Sequence, residues 1–513
     1  MFAAAAVVAL FAFLYANSWH TFPGNADDAN AVLAGHAISH GNVWLHGWKL
    51  PADSYWPMDL GAYALFTAIA GIGPGAYHAV PTAIYVGVVV LATVMAAMDA
   101  DGRARWVAVA VTFVIVGLPA PFLGYFVLQG PHHVGSLLLC LGVFALLRPG
   151  PIWKWCVGAS LLAAALLGDP TVLAIGVAPV AVAGVVAATR ARRWRAGLGH
   201  WAAAAFAVVA AAGGRKVLTH FGQQLTPRPP IFRAHFLPNA RAAPRALMTL
   251  FGIGHVSRLS TLSQAVHLVG FAFALVAVAL ALWSAAVALF ARPSEKGQTS
   301  LLKARSLDDM LALAFVGSLG LYIIIGTTPK DDSNLRYLVP ALVCAAILAG
   351  RCAARVRVTL PRGATALVAL SAAGLVAFYV TAAVVPLRDP VRTGPRALVA
   401  WLDVHSLRNG LAGYWDASTV TVESEGRLAM KPVIVAGTRV RPFFYYAPAK
   451  WFAPSRPPAR SSFLVYQPSQ PWEGVDADSA SATFGPPTSM TEVGEWRVLV
   501  WDHDVVPDLG PPG

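Results

Sequence analysis

The chain has 513 residues, 57% of them apolar and 12% charged, with a mean hydropathy of +0.59. A water-soluble protein of ordinary composition, about a quarter charged, is excluded; a bilayer can accept this much apolar surface because it solvates the outer faces of helices. The net charge of +13 would suit nucleic acid, but the basic residues fall in short clusters between apolar runs, so a membrane topology is read and no nucleic-acid partner is expected.

Residues 2–16 are apolar, and no Lys or Arg precedes them. Asn17, Ser18 and Trp19 make a poor cleavage site, so an uncleaved first helix is expected. A long segment, 20–75, follows. It opens with Asp27 and Asp28, just before an apolar-periodic stretch. On a helix, Asp28, Val32, His36 and His40 recur at steps of four and share a face. Asp27 or Asp28 could simply cap a helix lying at the membrane interface, with the histidines on its wet side. Trp44, Trp48, Trp56 and Tyr55 read mainly as interface anchors.

Further apolar runs fall near 76–98, 106–121, 133–147, 155–168, 171–189, 198–213, 262–291, 309–327, 337–350 and 364–386. With the first they predict about eleven transmembrane helices, several of which must borrow flanking residues to span. If the first helix enters from the cytoplasm, the even-numbered connections carry Arg103 and Arg105; Arg148 and Lys154; Arg190, Arg192, Arg193 and Arg195; Arg292, Lys296, Lys303 and Arg305; and Arg351, Arg355, Arg357 and Arg362. The short opposite loops hold only Lys330 and Arg336. The positive-inside rule then places the N-terminus in the cytoplasm and the C-terminus outside. Cys140, Cys156, Cys344 and Cys352 lie in or beside predicted spans and suggest neither a disulfide framework nor a metal site.

The second long outer segment, 214–261, holds Arg215, Lys216, Arg228, Arg233, Arg241, Arg245 and Arg258 without a single acid. Such a surface suits phosphate, which Arg grips with two hydrogen bonds, or anionic lipid headgroups. A short outer turn carries Asp331 and Asp332, then Arg336 and Tyr337 at the head of the next span. That arginine either snorkels or reaches into a cavity to hold a phosphate. His132 and His133 sit on the same side, but adjacent histidines diverge on a helix and make a poor metal pair.

From about 387 the composition changes. β-type runs at Thr419–Glu423, Pro432–Val435, Phe463–Tyr466 and Trp496–Trp501 follow a helical stretch near 394–408. The expected architecture is therefore an all-α polytopic membrane bundle over 1–386, with large outer loops at 20–75 and 214–261. A small soluble extracytoplasmic α/β domain over 387–513 completes it.

A first helix, a large outer loop with an early acidic pair, many further helices and an outer C-terminal domain resemble the GT-C superfamily of membrane glycosyltransferases. That superfamily includes protein O-mannosyltransferases and the lipid A aminoarabinose transferase. The stretches Asp28-Ala29-Asn30, Gly41-Asn42, Leu45 through Ser54 and Gly413 through Ser424 look like those of uncharacterised bacterial GT-C-like proteins. The resemblance implies a sugar donor on a polyprenyl phosphate, presented from the bacterial inner membrane. The acceptor would be the hydroxyl of a glycan, lipid or protein outside the cell membrane. One carboxylate of the first loop would act as base, mapping onto Asp27 or Asp28, with Asp28 preferred for its alignment with His36. Single displacement would invert the anomeric centre. Arg336, with Arg233, Arg241 or Lys216, would hold the phosphate. His36, His40, Asp331, Asp332 and Tyr337 would position acceptor or substrate. Some relatives use a divalent cation and others none, and no ligand set for one is visible here. Better-known relatives often carry Asp-Glu and then Arg-Tyr, whereas here Asp27-Asp28 is followed by Ala29-Asn30. The competing readings are a multi-spanning transporter or flippase and a non-catalytic membrane scaffold.

Overall fold

The computed structural model describes residues 2–21, 24–227, 233–253, 268, 271–272, 274–283, 286, 298–325, 332–355, 395–453, 461–470 and 472–510. The first two-thirds is mainly helical. Helices α1 (Phe2–Thr21), α2 (Ala26–Ser39), α3 (Met58–Ala70), α4 (Gly75–Ala97), α5 (Gly102–Val116), α6 (Pro121–Val127), α7 (Val134–Leu146) and α8 (Ile152–Gly168) follow one another. A π-helical turn, Leu173–Val177, leads into α9 (Ala178–Ala191). Then come α10 (Leu198–His220), α11 (Phe236–Leu250), α12 (Ala274–Trp283), α13 (Gln298–Ile325) and α14 (Val339–Arg355). Among the described residues, five helical stretches are long and apolar enough to cross a membrane: Gly75–Ala97, Leu173–Ala191, Trp194–His220, Ser306–Ile325 and Ser333–Arg355. Helices α7, α8 and α12 are shorter and apolar. The run expected at 364–386 lies outside the described residues, and that at 262–291 is described only in part.

The first outer segment is not a loop. Asn25 caps α2: its side chain accepts from the Asp28 N–H at 3.1 Å, and Asp28 Oδ2 accepts from the Asn25 N–H at 3.3 Å. This reciprocal box satisfies two donors that a helix start leaves open. The helix does not lie exposed at the interface, as the sequence suggested, because Asp28 through Gly35 are all buried. Small side chains permit this. Gly35 lies so close to α3 that an added Cβ would meet Tyr63 Cβ at 2.5 Å. Trp48 is not an interface anchor either: it is 2% exposed in strand β1 (Trp48–Leu50) and meets Trp451 edge-on.

The tail is a mixed sheet with helices on both faces. Its strands are β3 (Asn409–Gly413), β4 (Ala429–Ala436), β5 (Arg439–Pro442), β7 (Ser462–Tyr466), β8 (Ser489–Val493) and β9 (Trp496–Trp501), in spatial order β5-β4-β3-β7-β9-β8. Helices α15 (Arg396–Val404) and α16 (Tyr414–Glu423) cover one face, with Leu398, Val420 and Phe463 in that core. Helix α17 (Ala477–Phe484) covers the other, over Val433, Leu464 and Trp501. The strand expected at Thr419–Glu423 is instead part of α16. Val420 and Val422 alternate as a strand would, yet both are buried because the helix is packed on two sides, by β4 and by α2.

The tail is joined to the membrane part by backbone as well as side chains. Strand β1 pairs in parallel with β2 (Gln224–Leu225) and antiparallel with β6 (Ala447–Pro448), so a three-stranded sheet links the first outer segment, the end of α10 and the tail. Tyr414, Val422 and Tyr446 belong to the same apolar core as α2, α4 and α14.

Charges at the two ends of the bundle are managed differently. At one end Asp99 pairs with Arg148 and Arg351, Asp308 with Arg351 and Arg355, and Asp309 with Arg190. At the other end lie Asp27, Asp28, Asp59 and Asp169, and none of these makes a salt bridge to Arg or Lys among the described residues.

Candidate active site

Helix α2 delivers two adjacent carboxylates into different surroundings. Asp28 is fully buried, and one oxygen is committed to the Asn25 cap. Its other oxygen presses on Gly130, where an added Cβ would lie 1.8 Å away. Burial, reinforced by the charge of Asp27, pushes the Asp28 carboxyl well above its usual range, so it is held protonated. Asp27 is half-buried and faces the tail. It accepts a 2.5 Å hydrogen bond from the Tyr414 hydroxyl at the start of α16. Burial raises the Asp27 pKa, and Tyr414 and the Arg336 guanidinium pull it back down.

Arg336 sits in a short 3-10 turn, Asp332–Leu338, that leads into α14. It lies over the Tyr337 ring at 5.2 Å and donates to the Tyr337 hydroxyl at 3.3 Å. It makes no salt bridge among the described residues, and its Nε is buried without a partner there. Its charge is felt at Asp27, Tyr55, Tyr125, His132, His133 and Tyr445, which places it among all of them. With Arg336, burial pushes His132 down to about 3, leaving that imidazole neutral.

A second buried pair borders the same space. His133 takes a left-handed backbone (φ 65°) at the start of α7, and its Nδ1 meets Asp169 Oδ2 at 2.9 Å. Asp169 Oδ1 accepts from the Thr171 N–H and hydroxyl at 2.9 and 2.6 Å. Burial alone would raise Asp169, but His133 and Thr171 outweigh it and hold the carboxylate below its usual range. Burial would lower His133, but Asp169 outweighs it and raises the imidazole. The His133 ring lies 5.4 Å from that of Tyr337 and 5.9 Å from that of Tyr55. Its Nε2 has no partner among the described residues, and neither have the hydroxyls of Tyr63, Tyr77 and Tyr446 or Asp59 Oδ2. Buried polar atoms are rarely left unmet, and a cluster of them marks a place where a polar ligand completes the bonding.

Of the residues singled out from sequence, Asp27, Asp28, Arg336 and Tyr337 are brought together. His36 and His40 are not. They stack on each other at 3.9 Å near the far end of α2, about 14 Å and 20 Å along the helix from Asp27. Lys216, Arg233 and Arg241 are exposed, and no described interaction ties them to Asp27. Arg241 lies on α11, which buries Asn239, Ala243 and Leu247 and packs against the Arg336 turn. Asp331 and the side chain of Asp332 lie outside the described residues. Asp53, Asp169, His133 and Tyr414 join the site without having been assigned a role in it. In a sequence so poor in acids, scarcity alone could have pointed to Asp53 and Asp169; Tyr414 lies in the Gly413 to Ser424 stretch that carries the resemblance but had no role assigned. Among the described residues no group of three or more His, Cys, Asp or Glu is placed to hold a metal ion.

The helical body, the capped helix after α1 and the C-terminal α/β domain share their fold with a solved structure. It is ArnT from Cupriavidus metallidurans in the apo state, a lipid A aminoarabinose transferase, with a TM-score of 0.54 over 99% of both chains. The two sequences are 14% identical, so the likeness is one of fold. No protein-family profile and no curated protein matches the sequence.

Proposed function

We propose that the protein moves a sugar from a polyprenyl-phosphate donor to an acceptor hydroxyl outside the cytoplasmic membrane, with inversion. The observation that carries this reading is Asp27, half-buried with a raised pKa, held by Tyr414 and within reach of the Arg336 charge in an ArnT-like fold. A base must be unprotonated at working pH yet hold a proton when needed, and a raised carboxylate meets that need. As the acceptor oxygen bonds to C1, its proton passes to Asp27. The bond from C1 to the phosphate oxygen breaks, and the phosphate leaves with that electron pair. In this reading Arg336 meets the departing charge as it grows, so its attraction strengthens towards the transition state. Phosphate is a good leaving group and needs no strong acid. His133 Nε2 and the unmet tyrosine hydroxyls are available to hydroxyl groups of a sugar.

Asp28 is better suited to shape than to chemistry, since one oxygen is spent on the helix cap and the other is sealed against Gly130. A divalent cation is not part of this reading. In this reading the arginine-rich end faces the cytoplasm and the Asp27 end faces out, which the placement of basic residues in the short connections supports.

The test is transfer of radiolabelled sugar from polyprenyl-phosphate donors in membranes. Asp27→Asn should abolish transfer while the protein still folds. Retained turnover in Asp27→Asn, or equal loss of folding and turnover, would sink the assignment.

A further inference from the structure

The opposite end of the bundle holds a cavity of about 880 Å³. Helix α8 connects the two sites: Asp169 follows its last residue, and the cavity begins at Ile152 and Trp155, roughly 25 Å away. Its walls come from α8, α9 and α10 and are largely apolar, with Ala159, Ala203 and Phe206 among them. Three polar features interrupt them. Arg190 and Asp309 form a buried pair, with Arg190 donating to Asp309 Oδ1 at 2.9 Å. His200, 4% exposed, places Nε2 3.3 Å from Ser306 Oγ. The other His200 ring nitrogen is buried with no partner among the described residues.

The rim has a distinct chemistry. Arg195 lines the cavity, Lys154 lies beside the lining Gly150, and Arg192 and Arg193 directly follow the lining Ala191 in the chain; none of the four makes a salt bridge among the described residues. The nearby acid, Asp309, is taken up by Arg190. Exposed Trp153, Trp194 and Ile152 stand beside these cations. Tryptophan beside basic residues on a helix end marks the depth of lipid headgroups. A soluble phosphate compound would have no use for the apolar walls, and a neutral lipid would leave four cations uncompensated.

We propose that this cavity binds an anionic glycerophospholipid from the leaflet opposite the Asp27 site. Its acyl chains would lie along α8 and α10, its phosphate at Arg195 and the neighbouring cations, and a headgroup or glycerol oxygen against His200. This reading does not depend on the transferase assignment.

The test uses the full chain in neutral detergent, with lipid retention read by native mass spectrometry and stability by thermal unfolding. The probes are phosphatidylglycerol, phosphatidylcholine of the same chain length, and soluble glycerol phosphate. The expected result is retention of phosphatidylglycerol about tenfold tighter than phosphatidylcholine, weakening with salt. Replacing the exposed Arg192, Arg193 and Arg195 with Gln should erase the preference while leaving folding intact. Ser160→Trp, at an exposed wall position, should lower retention of both lipids. Equal retention of the two lipids, indifference to these substitutions, or displacement of the lipid by glycerol phosphate would each overturn the proposal.

Discussion

Asp27 and Asp28 are neighbours with opposite fates, and the difference lies in what each oxygen touches. Removing a general base typically costs 100-fold to 10,000-fold in rate, so Asp27→Asn should fall in that range. Asp28→Asn should retain measurable transfer, because an amide oxygen can still accept from the Asn25 N–H. It should also change how stability varies with pH. The folded Asp28 pKa lies above the unfolded value of about 3.9, so its contribution to stability is greatest below that value. The contribution then declines as pH rises, and the asparagine protein should lack the decline in unfolding curves. The Asp27 pKa is raised too, but activity needs its carboxylate form and so runs the other way: turnover should rise with pH along an acid limb shifted upward from that of a free carboxylate. Tyr414→Phe removes a bond that favours the carboxylate, so that limb should move further up in the pH–rate profile. Gly130→Ala should destabilise by about 1–3 kcal/mol, because its methyl would collide with a sealed carboxyl that has nowhere to move.

At the scale of elements, the pair that closes the site illustrates what sequence can offer. Asp169 was visible as one of few outer acids, and His133 as half of an adjacent histidine pair. Their 2.9 Å contact could not be read, because it depends on how α7 and α8 pack. Asp169→Ala should strip His133 of its buried partner and cost about 3–5 kcal/mol, seen as a lower unfolding temperature of the purified protein. Helix α2 was legible as a helix beginning near the acidic pair, but its cap is Asn25 rather than Asp27 or Asp28, with Asp28 returning the bond from the first turn. The burial of this helix was not legible, since the apolar face that would betray it is made of Ala and Gly. The opposite error occurred at α16, where alternating Thr and Val imitate a strand but a helix between two layers buries both registers. Arg336 was singled out from its position at the head of an apolar span, and the fold brings its charge to bear on Asp27. The exposed cations of 214–261 looked equally suitable, and only folding separates Arg336 from them.

On the scale of the whole molecule, the division near 387 read from composition is not a mechanical one. Tyr414 and Asp27 are 387 positions apart, and no local pattern could pair them. Ser418 also donates to Asn30 Oδ1 at 2.6 Å, so α16 is bound along α2 by polar as well as apolar contacts. Because one apolar core runs through both parts, the tail should not melt first. Tryptophan fluorescence and helix content should fall together in a single thermal transition; two separated transitions would contradict the shared core.

The pairing of Lys49 with Ala447 has a mechanical consequence. Lifting the tail away would rupture main-chain bonds, unseat Tyr414 from Asp27 and strip Asn30 of Ser418 in one stroke. The tail is therefore a fixed ceiling over the carboxylate rather than a hatch. Under the proposed function, a lipid-borne sugar and its acceptor would have to slide in sideways, between the ceiling and the bilayer, and leave along the same plane.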